Sequence, residues 1–288
     1  SGNMRNKISL VGAGPGDYGL MTLKGAECLK RADVVVYDRL VNPRLLHLCK
    51  AGCEKIYVGK ESGNHAVPQW KINEILLEKA KEGKWVVRLK GGDPYVFGRG
   101  GEEACYLLEN GVDFEVVPGV TSAVAGPAYA GIPVTHRDMA SSFHVFTGHA
   151  KENGAMDWPG ATKLPGTLVF MMGLSNLEEI VSRLMESGKD PSTPAALIGS
   201  ASSSEQRTAV STLGGIVSAG EKENIASPAI LAVGQTVTLS KKLNFFEKKR
   251  LCGKSIVLTR ALEQSDNLAA LAEEEGARAL FYPALAIR

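Results

Sequence analysis

Residues 10–17 read LVGAGPGD: the β-type run Ile8–Ser9–Leu10–Val11 breaks into three glycines alternating with Ala13 and Pro15. Glycines at a strand end let the backbone come close to a ligand, and such a loop first suggests a phosphate cradle for a nicotinamide dinucleotide. The G-x-G-x-x-G fingerprint needs its third glycine three places after Gly14, where this chain has Asp17. A carboxylate there would face the pyrophosphate. The helix should also open at once and aim its N-terminus at the phosphates. Here Tyr18–Gly19–Leu20 intervene, and the helical pattern opens at Thr22, a residue type suited to an N-cap. Asp38 closes the second strand where a ribose-binding acid would sit, the one feature favouring a dinucleotide. On balance the loop suits close approach to a ligand other than a diphosphate.

A second stretch, residues 86–103, reads VVRLKGGDPYVFGRGGEE. A buried strand ends in Gly91–Gly92–Asp93, at the carboxyl edge where open α/β sheets bind ligands. Tyr95–Val96–Phe97 supply an apolar wall, and Arg99 follows in a glycine-rich turn. Glu102 and Glu103 read as acids of a first helical turn, where the helix dipole favours them. The third stretch is Pro118–Gly119–Val120–Thr121–Ser122, whose hydroxyls suit a helix cap, a ligand, or both. Arg39, Lys60, Lys90, Arg99, His136 and Arg137 fall at strand ends or in loops. That placement points to a polyanionic substrate, since guanidinium forks match carboxylates.

The elements that must position these residues alternate between strand and helix. Strands are expected at Lys7–Val11, Val34–Tyr37, Trp85–Lys90 and Phe114–Val117, with helices at Thr22–Ala32, Pro68–Glu82 and Gly101–Glu109. That rhythm predicts βαβ units and a mostly parallel sheet. Pro118–Gly119 is the expected interdomain joint, giving domains at 4–118 and 119–245. The second set comprises strands at Phe143–Thr147, Leu168–Met171, Ala195–Ile198, Gln206–Ser211 and Ile230–Val233, with a helix at Leu177–Glu186. Gly148–Gly166 reads as a surface excursion, and Lys241–Arg250 as a basic linker. Residues 253–288 hold one more strand–helix–strand unit, too small to be stable alone.

A net charge of +2 excludes a general nucleic-acid coat protein, and no apolar run approaches the ~18 residues of a membrane span. Five scattered cysteines, an odd number, suit a reduced cytoplasm. His47, Cys49 and Cys53 lack a second half-site with metal spacing, so no metal is expected.

Taken in order, VGAGPGD, LMTLKGAECLKRADVVVYDRLV, VGKESGNHAVPQWKINEILLEKA, VVRLKGGDPYVFGRGGEE, VPGVTSAVAGPAYAGIPVTHRD, FMMG and SPAILAVGQTV resemble the uroporphyrinogen-III C-methyltransferases of the tetrapyrrole methylase family, over roughly residues 5–240. The resemblance implies two α/β domains with S-adenosylmethionine in the cleft between them, in a homodimer. It implies two methyl transfers, to carbons 2 and 7 of uroporphyrinogen III, giving precorrin-2 for sirohaem and cobalamin, with S-adenosylhomocysteine as the other product. Carried over by motif position, Asp38 is the proton acceptor and Lys60 the proton donor. Cofactor positions are Pro15, Gly91, Gly92, Asp93, Val96, Thr121, Ser122, Met172, Ala201, Pro228 and Ala229. The eight carboxylates of such a substrate would account for Arg39, Arg99, His136 and Arg137. The chain departs from the family pattern at Ala201, where a glycine is common, and at Trp70, where an acid is usual. GKSIVLTRALEQSDNLAALAEEEGARALFYPAL, residues 253–285, resembles the opening of uroporphyrinogen-III synthase, which implies a fused remnant too short to act. The alternatives are another precorrin methyltransferase and, from a different class, a nicotinamide-dependent oxidoreductase. Neither nucleic acid nor membrane is an expected partner.

Overall fold

The computed structural model describes residues 7–148, 156–172 and 174–283. They form two compact units that divide between Ser122 and Ala123.

In the first unit, strands β1 (Lys7–Gly12), β2 (Val34–Tyr37), β3 (Glu54–Tyr57), β4 (Trp85–Lys90) and β5 (Phe114–Val117) form a sheet in the order β3-β2-β4-β1-β5. Every pairing is parallel. A parallel sheet needs both faces covered, which is why its central strands are near-continuous apolar runs. Alternate residues serve opposite faces. Ile8, Leu10, Val34, Val36 and Val86 pack under α2 (Gln69–Lys81) and α3 (Gly100–Glu109), through Ile72, Leu76, Ala104 and Leu107. Val11, Val35, Val87 and Leu89 face Leu29 of α1 (Leu23–Arg31), together with Leu45 and Leu46. The expected cap is present: the Thr22 side chain accepts a hydrogen bond from the Gly25 amide at 3.0 Å.

Strand β3 had no counterpart among the expected elements. It lies at the sheet edge with Glu54 and Lys55 exposed, so only Ile56 and Tyr57 carry an apolar signal. Helix α4 (Ser122–Tyr129) crosses the division between the units.

The second unit contains β6 (Phe143–Thr147), α5 (Trp158–Lys163), β7 (Thr167–Met172), α6 (Leu177–Glu186), β8 (Pro194–Gly199), β9 (Arg207–Thr212), α7 (Ile216–Lys222) and β10 (Ala229–Val233). Its sheet runs β6-β7-β10-β8-β9. Here only β6–β7 is parallel, and the other three pairings are antiparallel. An alternation of elements does not set strand direction where connections are short enough to turn back. Helix α5 lies inside the stretch that reads as an excursion, of which residues 149–155 fall outside the described set. Phe146 and Trp158 stack on the buried Phe170 with ring centroids 5.0 and 6.2 Å away.

The basic linker is anchored rather than merely solvated. After α8 (Ser240–Leu243), Glu247 Oε2 accepts from Thr208 Oγ1 at 2.7 Å, Asn244 Nδ2 at 2.8 Å and Gln206 Nε2 at 3.1 Å. Phe246 is buried against Tyr129, with ring centroids 4.9 Å apart. Beyond it, β11 (Ser255–Leu258), α9 (Leu262–Glu274) and β12 (Arg278–Phe281) make a βαβ unit with a two-stranded parallel sheet. Ala269 and Ala272 are buried, while Val257, Leu271 and Tyr282 stay exposed.

Candidate active site

The three glycine-rich stretches meet at the carboxyl ends of the adjacent strands β4, β1 and β5. Gly14 and Gly92 form an antiparallel bridge, with Gly92 N donating to Gly14 O at 2.7 Å and Gly14 N to Gly92 O at 3.2 Å. Pro15 follows directly. A Cβ on Gly12 would lie 2.5 Å from Gly119 Cα and 2.6 Å from Gly92 O, both backbone atoms. Gly92 has φ +64°, in the left-handed region that favours glycine. A Cβ on Gly91 would lie 2.8 Å from Leu40 Cβ. These glycines therefore bring three backbones and the Leu40 turn together, before any ligand is considered.

Asp93 fastens the junction. Its Oδ1 accepts from Tyr95 N at 2.9 Å and its Oδ2 from Gly119 N at 3.0 Å, so both oxygens serve the loops themselves. Thr121 and Ser122 are half-buried next to this knot, and Val96 lies half-buried in the loop after β4. Asp17 has a local duty as well: its Oδ1 accepts from Gly19 N at 2.8 Å and caps the 3-10 turn Tyr18–Leu20. Asp17 thus stands, with its carboxylate engaged locally, where a dinucleotide loop needs its third glycine. The backbone groups of these loops and the hydroxyls of Thr121 and Ser122 are a donor set that fits the polar groups of a nucleoside.

Asp38 follows β2 and Lys60 follows β3, neighbouring strands, so the sheet brings both to the same edge. Asp38 is half-buried, and its Oδ1 accepts from Leu40 N at 2.9 Å. Lys60 is exposed. The Asp38 turn is tied to the first glycine loop by Asn42, whose Nδ2 donates to Gly16 O at 2.8 Å, and by Arg44, whose guanidinium lies 3.6 Å from the centroid of the Tyr18 ring.

The basic residues separate. Arg39, Arg99 and Arg137 are exposed, and Arg99 pairs with Glu102 at 2.8 Å. His136 is half-buried with Nδ1 accepting from Asp138 N at 3.2 Å. Lys90 does not belong with them: it is 5% exposed and its Nζ lies 2.6 Å from Glu103 Oε1. Arg88 Nε lies 2.8 Å from the other oxygen, Oε2, and Glu103 is fully buried. Burial and the Arg88 charge push the Lys90 ammonium down from its ordinary value, against the pull of Glu103 and Asp38. This triad went unseen in the sequence, where Glu103 reads as a helix-cap acid. The available signal was an Arg-x-Lys pair inside an otherwise apolar strand.

In the second unit, the register sets Met172 opposite Ala229, and Ala229 opposite Gly199. Pro228 O accepts from Ser200 N at 2.9 Å. Ala201 is buried between Ser200 and Ser202, both in the left-handed region at φ 48° and 61°. Three segments distant in sequence thus put Met172, Ala201, Pro228 and Ala229 at one end of the sheet. The Met172 side chain and Gly173 lie outside the described set. Burial, with Cys53 alongside, pushes the Cys49 thiol up to about 12. Among the described residues, no cluster of three or more His, Cys, Asp or Glu side chains could hold a metal ion, and no helix is long and apolar enough to cross a membrane.

A parallel sheet with three glycine-rich loops at the carboxyl ends of β4, β1 and β5 defines an α/β protein of the kind that binds a ligand at that edge. Known proteins make the class specific. The family described as Tetrapyrrole (Corrin/Porphyrin) Methylases matches residues 7–217. The chain is 49% identical over 282 residues to the porphyrin biosynthesis protein HemD of Ruminiclostridium josui, covering 97% of this chain and 56% of that protein. It is 49% identical over 242 residues to siroheme synthase 2 of Yersinia enterocolitica, covering 84% of this chain and 51% of the other. The chain therefore spans about half the length of these curated relatives. Among solved structures, the uroporphyrin-III C-methyltransferase of Thermus thermophilus complexed with S-adenosylhomocysteine is 42% identical, with a TM-score of 0.69 over 81% of this chain and 99% of that one. The chain belongs to the tetrapyrrole methylases.

Proposed function

We propose that this enzyme methylates uroporphyrinogen III at carbons 2 and 7, giving precorrin-2. The enzyme is an S-adenosylmethionine-dependent C-methyltransferase acting on a tetrapyrrole. The observation that carries the finer reading is the 42% identity to the Thermus thermophilus enzyme over nearly all of that chain. The relatives named for sirohaem and porphyrin synthesis support it.

Bound S-adenosylmethionine supplies an electrophilic methyl carbon on a sulfonium, and becomes S-adenosylhomocysteine when the pyrrole carbon takes that methyl. The chain's task is to align the two and to move protons. Pro15, Gly91, Gly92, Val96, Thr121 and Ser122 in the first unit hold the cofactor in this reading. Met172, Ala201, Pro228 and Ala229 do so in the second. Asp93 acts there by fixing the loops. Asp38 takes the proton lost as the ring double bonds rearrange; its Oδ1 is occupied by the Leu40 amide, which leaves Oδ2 for that proton. Lys60 returns a proton. Arg39, Arg99, His136 and Arg137 receive the substrate's carboxylates. The βαβ unit of β11, α9 and β12 is the opening of a uroporphyrinogen-III synthase domain. A homodimer in the cytoplasm completes the reading.

The test is an anaerobic incubation with uroporphyrinogen III and methyl-labelled S-adenosylmethionine, followed by mass spectrometry of the tetrapyrrole. Two added methyl groups are expected. No transfer by protein that still binds S-adenosylhomocysteine would move the substrate to another precorrin. Asp38→Asn and Lys60→Ala should each lower kcat by roughly 10²-fold. Their S-adenosylhomocysteine affinity, measured by calorimetry, should stay within about twofold of wild type, since neither holds the cofactor. Loss of that affinity would refute the acid–base roles.

A further inference from the structure

The buried triad does not balance. Arg88 and Lys90 bring two positive charges to the single carboxylate of Glu103, all three nearly or wholly excluded from water. An uncompensated charge in such a place is costly, so a fourth, negative partner is expected nearby.

The strand register says which. Strands β2 and β4 run parallel with Val36 opposite Arg88. Two residues further along each, Asp38 stands just past the end of β2 and Lys90 at the end of β4, so the parallel register carries both to the same end of these neighbouring strands. Arg88 Nη1 reaches back to Val36 O at 3.4 Å, which locks the two strands at this point. The Asp38 charge pulls the Lys90 ammonium up, a smaller influence than burial, Arg88 and Glu103.

We propose that Lys90 is a positioning residue for Asp38: its ammonium, anchored on Glu103, balances and orients the carboxylate at the end of β2. The inference rests on the reading of Asp38 as proton acceptor. Arg88 neutralises Glu103, and Lys90 is the surplus cation that the Asp38 charge completes. The Leu40 amide fixes Oδ1 from the turn side, and Lys90 acts from within the sheet. Lys90 itself, at 5% exposure, acts through Asp38 rather than on the substrate.

A mutant cycle tests this. Lys90→Met leaves the Arg88–Glu103 pair balanced, so the fold is expected to persist, while kcat falls about 10- to 100-fold with KM for S-adenosylmethionine unchanged. Lys90→Arg should recover most of the loss. The double variant Lys90→Met/Asp38→Asn should be no slower than Asp38→Asn alone, because Lys90 works only through that carboxylate. Lys90→Gln, which keeps a donor for Glu103, gives the same reading where the methionine variant does not fold. Full kcat in the Lys90 variants beside a slow Asp38→Asn, or losses that multiply in the double variant, would overturn the role of Lys90 alone. Full kcat in Asp38→Asn would overturn the proton-acceptor reading and the positioning role with it.

Discussion

Glu103→Gln should be among the most destabilising single substitutions in the first unit. Removing the one carboxylate leaves Arg88 and Lys90 facing each other in a site where neither is more than 5% exposed. Breaking a buried ion pair from one side costs about 3–5 kcal/mol, since the remaining charge keeps its desolvation penalty and loses its partner. Here two cations are left, and their repulsion adds to that cost. Arg88→Met should cost less, because one cation still pairs with Glu103 at 2.6 Å. Urea unfolding at pH 7 checks the order: the midpoint should fall furthest for Glu103→Gln. A wild-type midpoint in that variant would mean that the triad contributes nothing to the fold.

Gly12→Val should produce a comparable loss by a different route. The new Cβ would lie 2.5 Å from Gly119 Cα and 2.6 Å from Gly92 O, and backbone atoms cannot swing aside as a side chain does. To make room, the junction of all three loops must open, breaking the Gly14–Gly92 bridge and the Asp93 bond to Gly119 N at 3.0 Å. The expected cost is about 3 kcal/mol or more. A drop in Tm of roughly 6–12 °C would accompany it in a chain of this size. Binding of S-adenosylhomocysteine should disappear in the fraction that still folds. Gly101→Ala is the control: nothing lies within 4 Å of its added Cβ in α3. It should gain about 0.5–1 kcal/mol from the lower entropy of the unfolded chain. If Gly12→Val matches that control, the close approach of the loops is not what glycine provides at this position.

Much of the first unit was legible in the sequence. Its central strands are buried on both faces, so they appear as short apolar runs such as VVVY and WVVRLK between helices with a clear apolar stripe. The Thr22 cap and the failure of the dinucleotide fingerprint at Asp17 were equally local, each readable from a few consecutive residues. The edge strand β3 was not, because an edge needs little apolar surface and has little to announce.

The sequence by itself determined the stretches of the candidate site: three glycine-rich loops at strand ends and an aspartate after the second strand, in a chain whose motifs resemble one family over roughly residues 5–240. Only the tertiary structure decided what the individual residues do there. Gly12 and Gly119 clear space for each other and for the Gly92 carbonyl, while Gly92 itself supplies a backbone in the left-handed region at φ +64°. Asp93 spends both oxygens on its own loops. Lys90, read among the cations for a polyanionic substrate, and Glu103, read as an acid of a first helical turn, are buried together. The antiparallel run of the second sheet was likewise invisible in its alternation of elements. The reason is common to these cases. Periodicity and turn chemistry are encoded among neighbours along the chain, whereas burial, charge balance and the approach of one backbone to another depend on residues brought together from 13 to more than 100 positions apart.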